Sequence, residues 1–332
     1  MLKLGVIGTS WICRQFIDAA IETGKYELKA AYSRSLEKGE AFVSDFPGVY
    51  VFDDLANFVN FEKLDVIYIA SPNSLHYSQT KAAVESGKSV IVEKPAFSNP
   101  KEWDEIHRLA HENGVYVLEA ARHIHELVFQ TIKDFLSDKT ITGANLIYAK
   151  YSTKMPALLA GELPNKWNPK FSGGILADLG VYLVYWAIGQ FGLPEAAHYK
   201  AQLLPSGVDV SGYGLLRYGD FDVSLYSAGN SFSYQSSEVY TTDGTLIIDS
   251  PATPSSIQFV KLDGNSEQIN IKIAENPLFA EADDFADFLS NPTTSENKKN
   301  YADWTELSKF VNQILFTMRQ DAAIVFDADI DD

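Results

Sequence analysis

The first 120 residues alternate short apolar runs with amphipathic segments of helical length. This alternation is typical of βαβ units, which place parallel strands side by side in one sheet. It predicts strands near residues 2–7, 27–32, 49–51, 65–70, 89–93 and 115–118. It predicts helices over 11–22, 36–46, 74–86 and 100–113, several of them followed by a glycine. Such a stretch folds as a doubly wound parallel sheet of the Rossmann, nucleotide-binding type.

The pattern changes after about residue 122 to longer strands with period-two alternation. Examples are residues 145–151, 213–218, 222–228 and 268–273. They predict an α+β domain with a large, mostly antiparallel open sheet. An apolar stripe predicts a C-terminal helix over 301–320 that packs back onto the body. The chain therefore reads as α/β followed by α+β, with domains at 1–120 and 121–332.

Composition limits the partners and the location. The 332 residues suffice for two domains, and the net charge of −17 argues against nucleic acid, which is bound by clustered Lys and Arg. The acidic tail (Asp327, Asp329, Asp331 and Asp332) is interpreted as a solvated terminus. The single cysteine, Cys13, fits a reducing compartment, and no apolar run approaches the roughly 20 residues of a membrane span. We therefore expect a cytoplasmic protein without a membrane partner.

The turn between the first strand and the first helix has the features of a nucleotide site. The strand ends in Gly8, so backbone N–H groups and the positive end of the helix dipole lie where a pyrophosphate binds. The G-x-G-x-x-G spacing is only partly met, because Ser10 and Cys13 stand at the second and third glycine positions. Both side chains are small. The turn is consistent with a dinucleotide, and a tight strand–helix connection without a ligand is the alternative.

The end of the second strand indicates which dinucleotide is preferred. A site for NAD commonly has Asp or Glu here to bond the ribose hydroxyls. This chain has Ser33 and Arg34, a hydroxyl and a guanidinium that suit a 2′-phosphate. We therefore favour NADP(H). A solvent-exposed arginine would give the same pattern, so NAD(H) stays an alternative.

Two further strand ends supply candidate site residues. The apolar strand at 89–93 stops at Lys94, and ligands of open α/β sheets bind beyond the carboxyl ends of the strands. Lys94 is therefore a candidate catalytic group. The loop after the fourth strand lies beside the nicotinamide half of the cofactor in this fold. His76 in that loop is a candidate contact, with a structural role as the alternative.

Together these motifs resemble the Gfo/Idh/MocA family, named for glucose-fructose oxidoreductase and inositol dehydrogenase. The resemblance extends over essentially the whole chain. It is based on Gly5-Val-Ile-Gly8-Thr-Ser10, Ser71-Pro72-Asn73 with His76, Glu93-Lys94-Pro95, Glu119-Ala-Ala-Arg122, and Gly173-Gly174 followed by Asp178, Gly180 and Tyr182. The predicted cofactor-binding residues are Gly8, Thr9, Ser10, Trp11, Ile12, Ser33, Arg34, Ser71, Pro72, Asn73, His76, Glu93, Lys94 and Arg122.

The resemblance implies an activity and a partner. Members pair a Rossmann domain with a C-terminal α/β domain whose open sheet often forms a dimer face. They are typically pyridine-nucleotide oxidoreductases of sugars, polyols or related diols. We therefore expect hydride transfer between NADP(H) and a sugar, a polyol or a vicinal diol, or its carbonyl counterpart. We also expect a homodimer or higher homo-oligomer.

The resemblance also implies the catalytic residues. Many members have histidine where this chain has Tyr182 and aspartate where it has Tyr185. Tyrosine at the first position is similar to the branch with dimeric dihydrodiol dehydrogenase, NADP-dependent xylose dehydrogenase and glucose-fructose oxidoreductase. A tyrosine with a pKa of about 10 is a poor base at neutral pH, and a nearby ammonium favours its phenolate form. The hypothesis is that Tyr182 is the general acid/base, Lys94 assists it, and Asp178 orients the substrate or Lys94.

Alternatives stay open for each substrate-side residue. Tyr182 fits a buried helix stripe over 179–186, and Asp178 fits a helix-entry cap. Trp167 is placed in the substrate site with Lys94, Asp178 and Tyr182 as a stacking platform for a sugar ring, and a core role is its alternative.

No metal is expected. His107 and His111 lie four residues apart on a predicted helix, but further ligands at zinc spacing are absent. His123 and His125 are candidates to border the substrate cleft with Arg122. For the whole protein, the alternatives are a non-catalytic NADP(H)-binding sensor and a reductase of a non-sugar carbonyl.

Overall fold

The structure, a computed structural model, describes residues 1–330 and divides them into two units. The first unit comprises Met1–Arg122 and Ala274–Ser308, and the second comprises His123–Ile273 and residues 309–330. The sequence pattern predicts instead that all residues from 121 onward belong to the second domain. Residues 274–308 group with the first unit because Leu278, Phe285 and Phe288 belong to its hydrophobic core.

The first unit is built on a six-stranded parallel sheet. Its strands are β1 (Leu2–Ile7), β2 (Tyr26–Tyr32), β3 (Tyr50–Phe52), β4 (Val66–Ile69), β5 (Ser89–Glu93) and β6 (Val117–Ala120). Their order is β3-β2-β1-β4-β5-β6, and every neighbouring pair is parallel. This is the Rossmann order, so the predicted doubly wound sheet is confirmed. All four residues of β4 are buried, as expected for a central parallel strand.

Ten α-helices occur in the described chain. They are α1 (Trp11–Glu22), α2 (Leu36–Phe42), α3 (Leu55–Val59), α4 (His76–Glu85), α5 (Pro100–Asn113), α6 (Leu127–Leu136), α7 (Met155–Leu159), α8 (Val181–Phe191), α9 (Phe279–Ser290) and α10 (Ser295–Asp321). The bounds of α1 and α5 are those predicted, because local capping defines them. The Asn99 side chain accepts the Glu102 N–H at the start of α5, and Gly114, with φ 67°, ends it.

The second unit is built on an eight-stranded sheet. Its strands are β7 (Ile141–Ala149), β8 (Ala196–Leu203), β9 (Asp209–Arg217), β10 (Asp222–Ala228), β11 (Ser237–Thr241), β12 (Gly244–Ile248), β13 (Ile257–Lys261) and β14 (Ser266–Ile269). The order is β14-β13-β12-β11-β7-β10-β9-β8. Only the pair β7–β10 among these is parallel, so the mostly antiparallel sheet is confirmed. A π-helix, Leu176–Gly180, leads directly into α8, and it contacts β7, β9 and β10.

A buried ion pair holds the segment that follows α10. The Arg319 guanidinium lies 2.6 Å from the Asp329 carboxylate, and their side chains are 4% and 12% exposed. The guanidinium also lies 3.9 Å from the centre of the Phe326 ring. The interpretation as a solvated tail is therefore wrong for Asp329, since its carboxylate compensates a buried charge. Asp331 and Asp332 lie outside the described residues.

One helical segment, Pro169–Phe191, is long and apolar enough to cross a membrane by length and composition, with a mean hydropathy of 1.5. Sequence analysis did not anticipate this. However, 83% of its most apolar window is buried inside the protein, as in the core helix of a globular unit. The cytoplasmic location stays a prediction from the single cysteine.

Candidate functional site

The carboxyl ends of β1, β2 and β4 border a cleft of about 520 Å³ in the first unit. This is the point where the strand order reverses, at which open α/β sheets bind their ligands. The lining consists of Ile7, Gly8, Thr9, Ser10, Tyr32, Ser33, Arg34, Ser35, Lys38, Ala70, Ser71, Pro72, Leu75 and Gln79. Three segments that are separate in sequence thus meet at one edge of the sheet.

Gly8 allows the backbone to approach this cleft closely. Its φ of 116° lies in a region that side chains disfavour, and an added Cβ would lie 2.8 Å from the Ala70 carbonyl oxygen. Its N–H donates to the Tyr32 carbonyl at 3.3 Å, which fixes the turn against β2. Any other residue here would push the β1 and β4 ends apart. The cradle therefore fits a phosphate-containing ligand.

The start of α1 adds donors to the same cleft. The Ser10 hydroxyl, at the second glycine position of the motif, accepts the Cys13 N–H at 3.4 Å and caps the helix. The first-turn N–H groups of Trp11 and Ile12 have no intrahelical acceptor, because the first amides of a helix never do. Cys13 is buried, which raises the pKa of its thiol. These residues fit a pyrophosphate at the positive end of the helix dipole.

Two cations lie at the end of β2. Ser33 and Arg34 line the cleft as predicted, and the Ser33 hydroxyl accepts the Ser35 N–H at 3.3 Å. Arg34 is exposed, and so is Lys38, which sequence analysis missed. The signal was the short distance in sequence: Lys38 lies in the first turn of α2, four residues after Arg34.

The His76 side chain links two loops through hydrogen bonds to their backbone. The imidazole is buried, with Nε2 at 2.9 Å from the Ser71 carbonyl oxygen and Nδ1 at 3.1 Å from that of Pro95. Burial lowers the pKa of His76. Both ring nitrogens face backbone oxygens, so none remains for a nucleotide. The cofactor contact assigned to His76 is therefore replaced by a structural role.

The Glu93-Lys94-Pro95 segment places its two charged groups differently. The Glu93 carboxylate is buried and accepts the Tyr68 hydroxyl at 2.6 Å, so it faces the core and not the cleft. Burial raises the pKa of Glu93, and the charges of Lys94 and Arg122 partly oppose this. The cofactor contact assigned to Glu93 stays a prediction that this buried carboxylate does not support. Lys94 is half-buried, and the Lys94–Pro95 peptide is cis.

Asp178 and Tyr182 form the accessible part of an otherwise buried segment in the second unit. Between residues 172 and 188, every residue except these two is buried. The alternative of a fully buried stripe is therefore wrong for Tyr182, whose neighbours Leu179 and Leu183 are buried. Tyr182 packs within its unit against His123, with ring centres 4.9 Å apart, and edge-on against Tyr148 at 5.7 Å. An apolar helix thus presents one carboxylate and one phenol, four residues apart.

The π-helix that contains Asp178 begins at a buried carboxylate. Asp209 accepts the N–H groups of Ile175 at 3.1 Å and Leu176 at 2.8 Å, and the Tyr199 hydroxyl at 2.7 Å. Burial raises the pKa of Asp209, and these donors oppose the rise. Sequence analysis missed Asp209, although an acid between two strand valines was a signal of a buried charge. π-Helical turns are frequent at functional sites.

The remaining substrate-side candidates lie in the same unit. Trp167 is fully buried, and its ring would contact a side chain placed on Gly229. It therefore offers no face to a sugar, and its core alternative holds. Its neighbour Lys166, which sequence analysis did not select, lies 2.5 Å from the Asp178 carboxylate. Asp178 is thus ion-paired and does not cap the helix.

Two family models match the chain. One, an oxidoreductase family with an NAD-binding Rossmann fold, matches residues 2–120, and the GFO/IDH/MocA C-terminal domain matches residues 129–247. The chain belongs to the Gfo/Idh/MocA family. This confirms the resemblance stated from the motifs. As a member, the protein is an NAD(P)-binding oxidoreductase of a family that acts on sugars and polyols.

Curated members of this family cover the full chain. It is 34% identical over 330 residues to the uncharacterized oxidoreductase YgjR of Escherichia coli strain K12. It is 33% identical over 330 residues to scyllo-inositol 2-dehydrogenase (NADP(+)) IolU of Bacillus subtilis strain 168. Each comparison covers 99% of both chains. The solved structure of KijD10, a 3-ketoreductase from Actinomadura kijaniata with NADP and TDP-benzene, has a TM-score of 0.84 at 20% identity, covering 96% of this chain and 97% of that one. It shares the fold.

Proposed function

We propose that this protein is an NADP(H)-dependent oxidoreductase of a polyol or sugar, with Tyr182 as general acid/base assisted by Lys94. The observation that most supports it is the burial pattern of 172–188, in which only Asp178 and Tyr182 stay accessible. A core helix has no structural need for either group at its open face. Both residues are also those that the family motif selects.

The proposed reaction divides its work between the cofactor and the chain. When bound, the nicotinamide exchanges a hydride with the substrate carbon. The Tyr182 phenol exchanges the proton of the reacting hydroxyl, and the Lys94 ammonium polarises the reacting oxygen. Asp178 accepts a substrate hydroxyl. Asp209 supports these residues indirectly, because it holds the first turn of the π-helix.

NADP(H) is the proposed cofactor over NAD(H). The end of β2 presents a hydroxyl from Ser33 and cations from Arg34 and Lys38 to the cleft. No carboxylate lines this cleft in the described chain to accept both ribose hydroxyls. The name of the relative IolU, an NADP(+) enzyme, supports the same choice.

The cofactor preference is tested by binding. Arg34→Gln should weaken NADPH binding by about 10- to 100-fold, the loss of one hydrogen bond to a charged group, and leave NADH binding unchanged. The matched control is Arg108→Gln on α5, an exposed arginine that does not line the cleft. Equal affinity of the wild type for NADPH and NADH would contradict the proposal.

The substrate class is tested by turnover. The purified protein is assayed with NADP and NAD across inositols, aldoses, acyclic polyols and trans-diols, with NADPH and the carbonyl counterparts in reverse. Turnover of a polyol or sugar is expected, since the relative IolU is named for scyllo-inositol and other relatives for dihydrodiols. Tight NADPH binding without turnover of any member would instead favour a sensor or a non-sugar carbonyl substrate.

A homodimer through the open face of the second sheet is also proposed. Residues of β9 alternate between buried and exposed, and Tyr213 is 65% exposed on the uncovered face. Tyr234, beyond β10, is 97% exposed. Exposed aromatics on a sheet face are typical of protein interfaces. Light scattering should give twice the chain mass, and Tyr213→Ser should reduce it, whereas Tyr50→Ser in the first unit should not.

A further inference from the structure

Lys94 is the accessible residue of an otherwise buried segment in the first unit. Among residues 90–99, every residue except Lys94 is buried. The backbone that follows Lys94 is held from the core, since the His76 Nδ1 lies 3.1 Å from the Pro95 carbonyl oxygen. A half-buried lysine thus projects from a loop whose own residues are fixed, so the residues that fix the loop also bear on the lysine.

Glu119 holds the same loop at its next residue. It lies on β6, the strand that pairs with β5, and its Oε1 accepts the Ala96 N–H at 3.0 Å. Ala96 is buried, where a backbone N–H without an acceptor is costly. The Glu119-Ala-Ala-Arg122 motif is one of those that carry the family resemblance, and the proposed reaction gives Glu119 no part.

The Glu119 carboxylate is itself held in one orientation. Its Oε2 accepts the Ser308 hydroxyl, and the Ser308 oxygen accepts the Trp103 indole N–H at 3.0 Å. Both Ser308 and Trp103 are buried. Because each carboxylate oxygen has its own donor, rotation of the group would break a hydrogen bond to an ionised acceptor, which is stronger than a neutral one. The acceptor for Ala96 is therefore fixed from α5 and α10.

The position of this loop matters for the chemistry assigned to Lys94. A lysine side chain is a flexible four-carbon stem, so its ammonium keeps one place only when the backbone beneath it is fixed. A displacement of about 1 Å at a reacting group can cost about 10²-fold in rate. Ala96 lies two residues from Lys94, and a loop released there would let the ammonium move.

We propose that Glu119 is a positioning residue that fixes the backbone of residues 94–96 and thereby the Lys94 ammonium. This rests on the proposed function, in which Lys94 polarises the reacting oxygen. Because Glu119 acts through Lys94, its loss lowers kcat with little change in KM, and it has no further effect once Lys94 is replaced.

Glu119→Met tests this proposal, because methionine keeps the length of the side chain and removes both acceptor oxygens. Glu119→Gln retains an oxygen for the Ala96 N–H, and its amide can donate to the Ser308 hydroxyl. The matched control is Glu102→Met. The Glu102 carboxylate accepts the Ser98 N–H at 2.8 Å, an equivalent bond in the same loop two residues further on.

Kinetics are measured with NADP and scyllo-inositol, for which the relative IolU is named, or with the panel compound of highest turnover. In Glu119→Met, kcat should fall about 10- to 100-fold. Glu119→Gln and Glu102→Met should each stay within about 3-fold of the wild type, as a difference below one hydrogen bond. The double variant Lys94→Met/Glu119→Met should be no slower than Lys94→Met alone, whereas general destabilisation would multiply the two losses.

Hydrogen exchange of single amides, followed by NMR, gives a readout that does not need turnover. The Ala96 amide should exchange about 10- to 100-fold faster in Glu119→Met, and the Ser98 amide in Glu102→Met, each without the other. NADPH affinity within about 3-fold of the wild type shows that a variant is folded. If Glu119→Met does not fold, Glu119→Asp, which keeps the charge on a shorter side chain, is measured in the same way.

The outcomes separate this proposal from the proposed function. If Lys94→Met is slow but Glu119→Met turns over like Glu102→Met, or if the losses in the double variant multiply, the role of Glu119 is overturned and the enzyme class stands. If Lys94→Met turns over like the wild type, the proposed part of Lys94 fails and the role of Glu119 with it. If the wild type turns over no compound, the proposed reaction fails, and unchanged exchange of the Ala96 amide in Glu119→Met would overturn the anchor as well.

Discussion

Asp209 is a buried carboxylate that holds the start of the π-helix, and Asp209→Asn tests this role. Its Oδ1 accepts the Ile175 N–H, and its Oδ2 accepts the Leu176 N–H and the Tyr199 hydroxyl. Asparagine has the same shape but only one oxygen. Asparagine retains most of these hydrogen bonds when its oxygen takes the Oδ2 position. Its amide N–H groups then face the Ile175 N–H, which has no acceptor.

The expected cost follows from this geometry. One buried N–H without an acceptor costs about 1–3 kcal/mol, so we expect local stability to fall by about 2 kcal/mol. Tyr199→Phe removes one hydrogen bond and leaves both backbone donors satisfied, at a cost of about 1 kcal/mol. A larger loss of stability in Asp209→Asn than in Tyr199→Phe therefore shows that Asp209 holds the π-helix and does not act through general packing alone.

Hydrogen exchange of a peptide covering residues 172–180 measures the effect where it arises. A loss of about 2 kcal/mol makes the Ile175 and Leu176 amides exchange about 30-fold faster. Turnover should fall as the protection of these amides falls. NADPH affinity should stay unchanged, because the cofactor cleft lies in the other unit. Exchange in Asp209→Asn no faster than in Tyr199→Phe would refute the reasoning.

The same variant has a pH signature. Burial raises the folded-state pKa of Asp209 above its unfolded value. At a pH between these two pKa values, the unfolded chain therefore binds fewer protons than the folded chain. Its stabilising contribution is therefore complete below the unfolded pKa of about 4 and decreases as pH rises through the folded pKa. Asparagine does not titrate. The exchange difference between wild type and Asp209→Asn should thus shrink as pH rises, and a difference that grows would contradict the assigned direction.

Three further perturbations test other parts of the molecule. Gly8→Ala should weaken NADPH binding at least about tenfold by steric overlap, whereas Gly24→Ala, also at positive φ but with open space around the added Cβ, should not; equal effects would contradict the cradle. Asp329→Ala should lower the free energy of unfolding, measured in urea, by about 3 kcal/mol, because it removes the opposite charge beside a buried guanidinium. Asp222→Ala, which breaks an exposed ion pair, should lower it by less than about 1 kcal/mol. Tyr182→Phe should reduce turnover by about 10²-fold with NADPH affinity retained, and near-full activity would move the proton transfer to another group.

The sequence alone predicted the parallel sheet of the first unit closely, although it missed α3 and the membership of residues 274–308. All six strands and the bounds of α1 and α5 were anticipated, since hydrophobic periodicity, caps and helix-ending glycines act within a few residues. The positions of Gly8, Arg34 and Lys94 at strand ends followed from the same local pattern. A strand end in a parallel sheet has a known place in the fold, so residue type and position were sufficient there.

Only the tertiary structure decided which distant groups meet. Asp209 reaches the N–H groups of a helix more than 30 residues away, and residues 274–308 join a core formed at the other end of the chain. The open side of α8 was equally undetermined, because that helix is apolar almost all around and periodicity cannot rank its faces. Lys166 lies beside Asp178, and Gly173, which has no side chain, lets the backbone approach the Lys166 carbonyl oxygen closely. Such pairings arise from how the sheets and loops pack, and no local pattern of residues encodes them.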